Sequence, residues 1–175
     1  MEPMAIREIK TFPDPVLRKK TAAVGAIDEK LCRLIDDMVE TMHAAPGVGL
    51  AANQVGVPLQ VAVIDLGDHE EEGKKRALVV LINPELISQE GSIVAEEGCL
   101  SVPDFTEKVK RAARVKVRAK DRAGKTFELE ADGLMAKALQ HEIDHLNGIL
   151  FIDRLSPIKK SIFRRRLKKA MAETA

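Results

Sequence analysis

The amino-acid sequence predicts an α+β fold. Three features predict it: an apolar stripe at helical spacing early in the chain, a middle stretch of short β-branched and alternating segments, and a return to helical spacing from Leu134 onward. Helix, then strands, then helices is the order of an α+β chain and not of an alternating α/β one.

Each element has its own warrant. Residues 28–44 read as an amphipathic helix, with Leu31, Leu34, Ile35, Met38, Val39 and Met42 at helical spacing and Asp28 as N-cap. Pro46 and Gly47 end it. In GVGLAANQVG (47–56) the three glycines speak against a regular helix or strand. LQVAVID (59–65) and ALVVLIN (77–83) are apolar and β-branched and predict strands. Gly67–Arg76, acidic then basic, predicts a solvated loop, and residues 86–95 another strand. EEGCLSVP (96–103) reads as an irregular but fixed segment punctuated by Gly98 and Pro103. RVKVRAKD (114–121) alternates apolar and charged residues; DRAGK and TFELEA (126–131) complete an antiparallel hairpin. Leu134 to about Leu146 is helical again, with Gly148 as stop. Ser156-Pro157 opens a last helix, serine as cap and proline in the first turn.

A length of 175 residues suits a single domain, 1–175. The 45% hydrophobic and 31% charged shares are those of a globular protein, and without Trp or Tyr its core must be aliphatic. The two cysteines, Cys32 and Cys99, make no disulfide framework. The start carries no signal-peptide-like apolar run, and no stretch approaches the roughly 18 apolar residues of a membrane span. The expectation is a reduced, cytoplasmic protein and a monomer, with neither DNA nor membrane as partner.

LQHEIDHLNG (139–148) holds two of the four histidines. His141 and His145 are four apart and share a helix face, so both imidazoles can reach one metal ion. Glu142 lies about 100° around the helix, still beside the site. Two ligands and a general base are the mechanical content of H-E-x-x-H: the metal acidifies a water and the carboxylate takes its proton. The five residues alone fit equally a polar helix with two coincidental histidines. Leu139, Ile143 and Leu146 would bury one side of that helix, which suits an internal site.

A catalytic metal needs a third protein ligand. His43 and His69 read as surface residues, at a helix end and in a charged loop. Asp153 and Glu173 are unpersuasive by position. Cys99 remains: its thiolate would complete a Cys/His/His set with one position open for water. A buried structural cysteine fits the spacing as well. Cys32 reads as a small buried hydrophobe. A cysteine nucleophile paired with histidine would leave the HEIDH spacing unexplained. GVGLAANQ lacks the lysine of a phosphate loop; Gln54 could donate to a developing oxyanion, or the segment could be a plain turn.

Taken together and in order, GVGLAANQ, EGCLS and QHEIDH resemble the three motifs of the peptide deformylase family, G-x-G-L-A-A-x-Q, E-G-C-L-S and Q-H-E-x-D-H. All fixed positions match. The resemblance implies removal of the N-formyl group from nascent polypeptides that begin with formylmethionine, with release of formate: co-translational processing in protein biosynthesis. It implies antiparallel sheets packed around a central helix carrying HEIDH, with a C-terminal helix. It implies one Fe(II) per chain, replaceable by Zn(II), Ni(II) or Co(II), on Cys99, His141 and His145. Glu142 would be the general base that later protonates the leaving amine. The Gln54 side chain and the Leu100 N–H would stabilise the oxyanion. Val48, Gly49, Glu97 and Gly98 would line the substrate cleft, the backbone near Val48 and Gly49 pairing with the peptide as an added strand.

Glu97, Arg111 and Asp144 lie close to the motifs, and an ionic network orienting Cys99 and the helix is expected. Lys137, one turn before His141, puts a charge near the methionine pocket. The tail, PIKKSIFRRRLKKAMAETA, carries a basic run with no acid until Glu173. Ile162, Phe163 and Leu167 would pack on the body and leave a cationic face for ribosomal RNA. Two rival readings share the helix: a metallopeptidase, which leaves EGCLS unexplained, and a non-catalytic ribosome-associated protein with a closed structural metal site.

Overall fold

The computed structural model describes residues 5–67 and 78–174. Helix α1 spans Glu29–Ala44, capped by the Asp28 carboxylate on the Leu31 N–H. Strands follow at Gly49–Ala51 (β1), Val61–Ile64 (β2), Val79–Glu90 (β3), Ile93–Cys99 (β4), Val102–Arg111 (β5), Arg114–Lys120 (β6) and Thr126–Asp132 (β7). Helix α2 spans Gly133–Leu146 and α3 Pro157–Thr174. The strands form a five-stranded sheet, β1-β2-β3-β6-β7, and a two-stranded one, β4-β5, with every pairing antiparallel. The α+β prediction holds, and so does the 114–131 hairpin.

Strand β2 shows why the layers form. Its four residues are all buried, because both faces of the sheet are covered here. Ala62 and Ile64 face α2 with Leu81, Val117 and Leu139. Val61 and Val63 face α1 with Leu34, Ile35, Met38 and Met42. Each such leucine or isoleucine contributes about 1.5–3 kcal/mol by leaving water. A third cluster joins the two-stranded sheet to the C-terminal part: Val102, Phe105 and Val109 pack on Leu150, Phe151, Leu155 and Phe163.

Several expectations need correction. GVGLAANQVG is regular after all: it holds β1 and a 3-10 turn, Ala52–Val55, with the Gly56 backbone at φ +83° ending it. The strands expected at 77–83 and 86–95 are one long β3 and the start of β4. Pro84 lies between the two expected strands, and the ladder passes it through a bulge between Ile82 and Glu85. The true turn falls at Gly91, φ +65°. EEGCLSVP is a tight hairpin, with only Leu100 and Ser101 outside β4 and β5. On α3, Phe163 is buried and Leu167 packs beside it, but Ile162 is 37% exposed and faces out. The expected loop beyond Gly67, including His69, lies outside the described residues. Among the described residues no helix is long and apolar enough to cross a membrane.

Candidate metal centre

Helix α2 is held before it can present anything. Ala136, Leu139 and Leu146 bury its inner face on the sheet. The Gln140 amide then brackets Ala112, accepting from its N–H and donating to its carbonyl, both at 2.9 Å. With the helix so fixed, His141 and His145 stand on adjacent turns, ring centroids 4.8 Å apart and Nε2 atoms 3.1 Å apart.

Cys99 arrives from the other side, at the end of β4. Its Sγ lies 3.2 Å from His145 Nε2. One ligand atom from each of Cys99, His141 and His145 falls within 4.8 Å of the others. The Ser101 N–H and Gln54 Nε2 approach the sulfur at 3.4 and 3.6 Å.

A buried ionic chain stands behind the histidines. Glu97 accepts from Arg111 Nε and Nη2 at 2.8 and 2.9 Å, and its Oε1 meets His141 Nδ1 at 2.9 Å. Arg111 Nη1 donates to Asp144 at 2.6 Å, and Arg154 donates to the same carboxylate. The structure therefore joins the three residues expected to form a network and adds Arg154. Burial opposes ionisation of Glu97, but the bonds from Arg111 and His141 outweigh it and bring the carboxyl down to about 2. Fixing Nδ1 of His141 aims its Nε2 at the cysteine.

The charges describe a site that asks for a cation. His141 resists burial and is pushed up to about 10 by Cys99, Glu97 and Glu142. His145, buried and facing the positive charges of His141 and Arg111, is driven well below its ordinary value and is neutral, as a ligand must be. Burial lifts Glu142 to about 7, against the pull of His141 and Arg111. A cysteine sulfur and two imidazoles converging on one point, with the Glu97 and Glu142 carboxylates beside them, fit a divalent transition metal.

These groups line a cleft of about 570 Å³. Its walls include Val48, Gly49 and Gln54 on one side, Glu97–Leu100 on the other, and Leu134, Lys137 and Glu142 from α2. All ten expected site residues are on or beside it. The cleft runs between β1 and β4, each the edge strand of its sheet. The Val48 carbonyl accepts from the Asp65 N–H and points into the sheet; antiparallel alternation leaves the backbone of Gly49 on the cleft side. Both Glu97 oxygens are engaged behind the histidines, so its carboxylate is turned from the cleft. Lys137 Nζ caps the Glu96 carbonyl at 3.0 Å. Gln54 is held by its ends: Oε1 accepts from the Ala51 N–H at 2.9 Å, and Nε2 donates to Ser101 Oγ at 3.0 Å.

Sequence reasoning missed Ser101 as the partner of Gln54, although it stands inside a quoted motif. It also missed Arg154 and Asn53, for which the sequence carries no signal.

The comparisons agree with this geometry. The sequence matches the polypeptide deformylase family over residues 6–161. It is 57% identical to a peptide deformylase of Syntrophobacter fumaroxidans, covering 97% of this chain and 98% of the relative. It is 53% identical to one of Thermodesulfovibrio yellowstonii, covering 94% and 98%. The fold superposes on a crystal structure of a Legionella pneumophila peptide deformylase with TM-score 0.86 at 49% identity, covering 97% and 98% of the two chains. An Ehrlichia chaffeensis peptide deformylase in complex with actinonin gives 0.87 at 37% identity, covering 95% and 98%. Matched over nearly its whole length in sequence and in fold, the chain belongs to the polypeptide deformylase family.

Proposed function

We propose that this chain is a peptide deformylase, a metal-dependent hydrolase that removes the N-formyl group from the N-terminal formylmethionine of nascent polypeptides and releases formate. One observation carries the reading: three donor atoms, of Cys99, His141 and His145, converge within 4.8 Å at the floor of a cleft that also holds the Glu142 carboxylate. The whole chain acts as one catalytic domain and as a monomer.

A divalent metal on those three ligands supplies Lewis acidity. The rest is the work of the chain. A peptide entering between β1 and β4 pairs with the backbone at Gly49, which places its formyl group over the ligands. Glu142 takes a proton from the attacking water as the carbon–oxygen bond forms. Gln54 Nε2 has one hydrogen committed to Ser101; the other faces the sulfur side of the site. With the Leu100 N–H it donates to the oxyanion. Glu142 then hands its proton to the nitrogen as the C–N bond breaks, leaving formate and a free amine. A carboxyl raised by burial suits both halves of that duty.

Iron(II) is the proposed native ion, with zinc, nickel and cobalt as possible replacements, since a thiolate with two imidazoles accepts all of them. Protein purified without oxygen should carry one iron per chain, and Cys99→Ala should carry none. Cys99→Ala that binds a full metal equivalent would favour the metallopeptidase rival. The cleft should also take actinonin, as in the Ehrlichia chaffeensis complex.

The basic face of α3 is proposed to touch the ribosome. Arg164, Arg165, Lys168 and Lys169 are exposed, while Phe163 on the same helix is buried against Phe105. Reversing Arg164, Arg165 and Lys168 to glutamate spares that packing. It should reduce ribosome co-sedimentation and leave small-peptide turnover intact; unchanged co-sedimentation removes the idea.

A further inference from the structure

Asn53 occupies one of the two variable positions of GVGLAANQ, so no motif speaks for it. It is fully buried, at 0% exposure, in the 3-10 turn that carries Gln54. Its Nδ2 reaches across the domain and donates to the backbone carbonyl of His145 at 2.5 Å. The orientation is fixed, since the flipped amide would set oxygen against oxygen. That carbonyl is in the last turn of α2, where it also accepts from the Gly148 N–H at 3.0 Å, so Asn53 adds a side-chain donor from across the domain to a backbone one. The neighbouring carbonyl, of Leu146, is held in the same way by Thr21, through its N–H and its hydroxyl.

One hydrogen bond thus joins the residue beside the oxyanion donor to the residue that carries a metal ligand, 92 positions apart in sequence. Gln54 is tied to the cysteine hairpin through Ser101, and His145 Nε2 meets Cys99 Sγ. Asn53, His145, Cys99, Ser101 and Gln54 form a closed ring of contacts in which Asn53 supplies the link from turn to helix end.

We infer that Asn53 is a positioning residue, which locks the spacing between the Gln54 donor and the His145 ligand. A turn free to drift from α2 moves the Gln54 amide relative to the reacting carbonyl, and a misplacement of about 1 Å costs on the order of 100-fold in rate. The same slack loosens His145 as a ligand. The kinetic half of this inference rests on the deformylase reading; the ligand half does not.

Asn53→Leu keeps the branched outline in a larger side chain and removes the donor. Asn53→Asp keeps the shape and sets an acceptor against the carbonyl, and serves if the leucine variant fails to fold. The proteins are loaded with cobalt(II) as probe. The variant should bind one cobalt per chain but release it to EDTA about tenfold faster than the wild type. Its kcat on a formyl-Met tripeptide should fall about 10–100-fold with KM within about threefold. In a Gln54→Ala background the same substitution should cost less than about threefold more, because the donor it positions is gone. A merely structural asparagine would add its full effect there. Unchanged cobalt release, or full additivity with Gln54→Ala, overturns the proposal. A wild type that releases no formate sinks the deformylase reading, and cobalt release then decides the role of Asn53 alone.

Discussion

The Glu142 carboxylate rests against the backbone of Gly49. A Cβ at position 49 would lie 2.6 Å from Oε2 and 2.9 Å from Cδ, closer than real contacts allow. The proposed base and the proposed peptide-pairing strand are therefore in contact, and the absent side chain is what permits it.

Gly49→Ala should keep its fold and its metal. It should lose kcat by about 100-fold, because Glu142 must move by a fraction of its own bond lengths or more. Steady-state kinetics beside metal analysis checks this. A variant with unchanged kcat would show that Glu142 can relocate without cost.

Arg111 is 6% exposed and bridges Glu97 and Asp144, themselves 4% and 9% exposed. Arg111→Met removes the cation shared by two buried carboxylates, leaving Glu97 with His141 alone and Asp144 with Arg154 alone. Breaking such a group costs about 3–5 kcal/mol. Arg111→Lys should recover only part, since an ammonium lacks the fork that holds Glu97 at two points. Urea unfolding of the two variants measures both losses. A loss below about 1 kcal/mol for Arg111→Met would mean that the charges act separately.

Asp153 predicts a pH dependence. Burial opposes its ionisation, but the Arg18 side chain and the Leu150 N–H outweigh that and hold the carboxyl below its ordinary 3.8. The pair's contribution is therefore complete above about pH 4–5 and is lost as pH falls through the lowered folded value. Wild type should exceed Asp153→Asn in stability at pH 6. The gap should close on acidification below pH ~4, and shrink with salt because the pair is partly exposed. A gap that is constant from pH 6 to pH 2 contradicts this assignment.

Removing the metal should destabilise the fold as well as silence it. A ligand that binds only the native state stabilises by about 4 kcal/mol when present at 1,000 times its Kd. Thermal unfolding with and without a chelator should show a clear drop in Tm for wild type. Cys99→Ala should show little.

Much of this was legible before the structure. Helix α2 announced itself because Leu139 and Leu146 recur at the spacing that buries one face, and the histidines inherit that regularity. The antiparallel character was visible in RVKVRAKD, where period-two alternation survives on a half-exposed hairpin. Other features were hidden for physical reasons. Pro84 punctuates the sequence, but Asn83, at φ +53°, takes the bulge, its Oδ1 accepting from the Val24 N–H and its Nδ2 donating to the Val24 carbonyl, so β3 continues. Regular structure in GVGLAANQ depends on β2 lying alongside. Arg154 and Asn53 matter through partners far along the chain, and no local pattern records them. The direction of the Val48 carbonyl follows from strand register, which residue types do not encode.

The most direct measurement is formate release from a formyl-Met tripeptide by protein kept from oxygen, with an acetyl-Met tripeptide and Glu142→Ala as controls. Wild type should release formate rapidly, the acetyl peptide should stay intact, and Glu142→Ala should lose several orders of magnitude with metal still bound. A wild type that binds one divalent metal per chain yet releases no formate would contradict the deformylase reading.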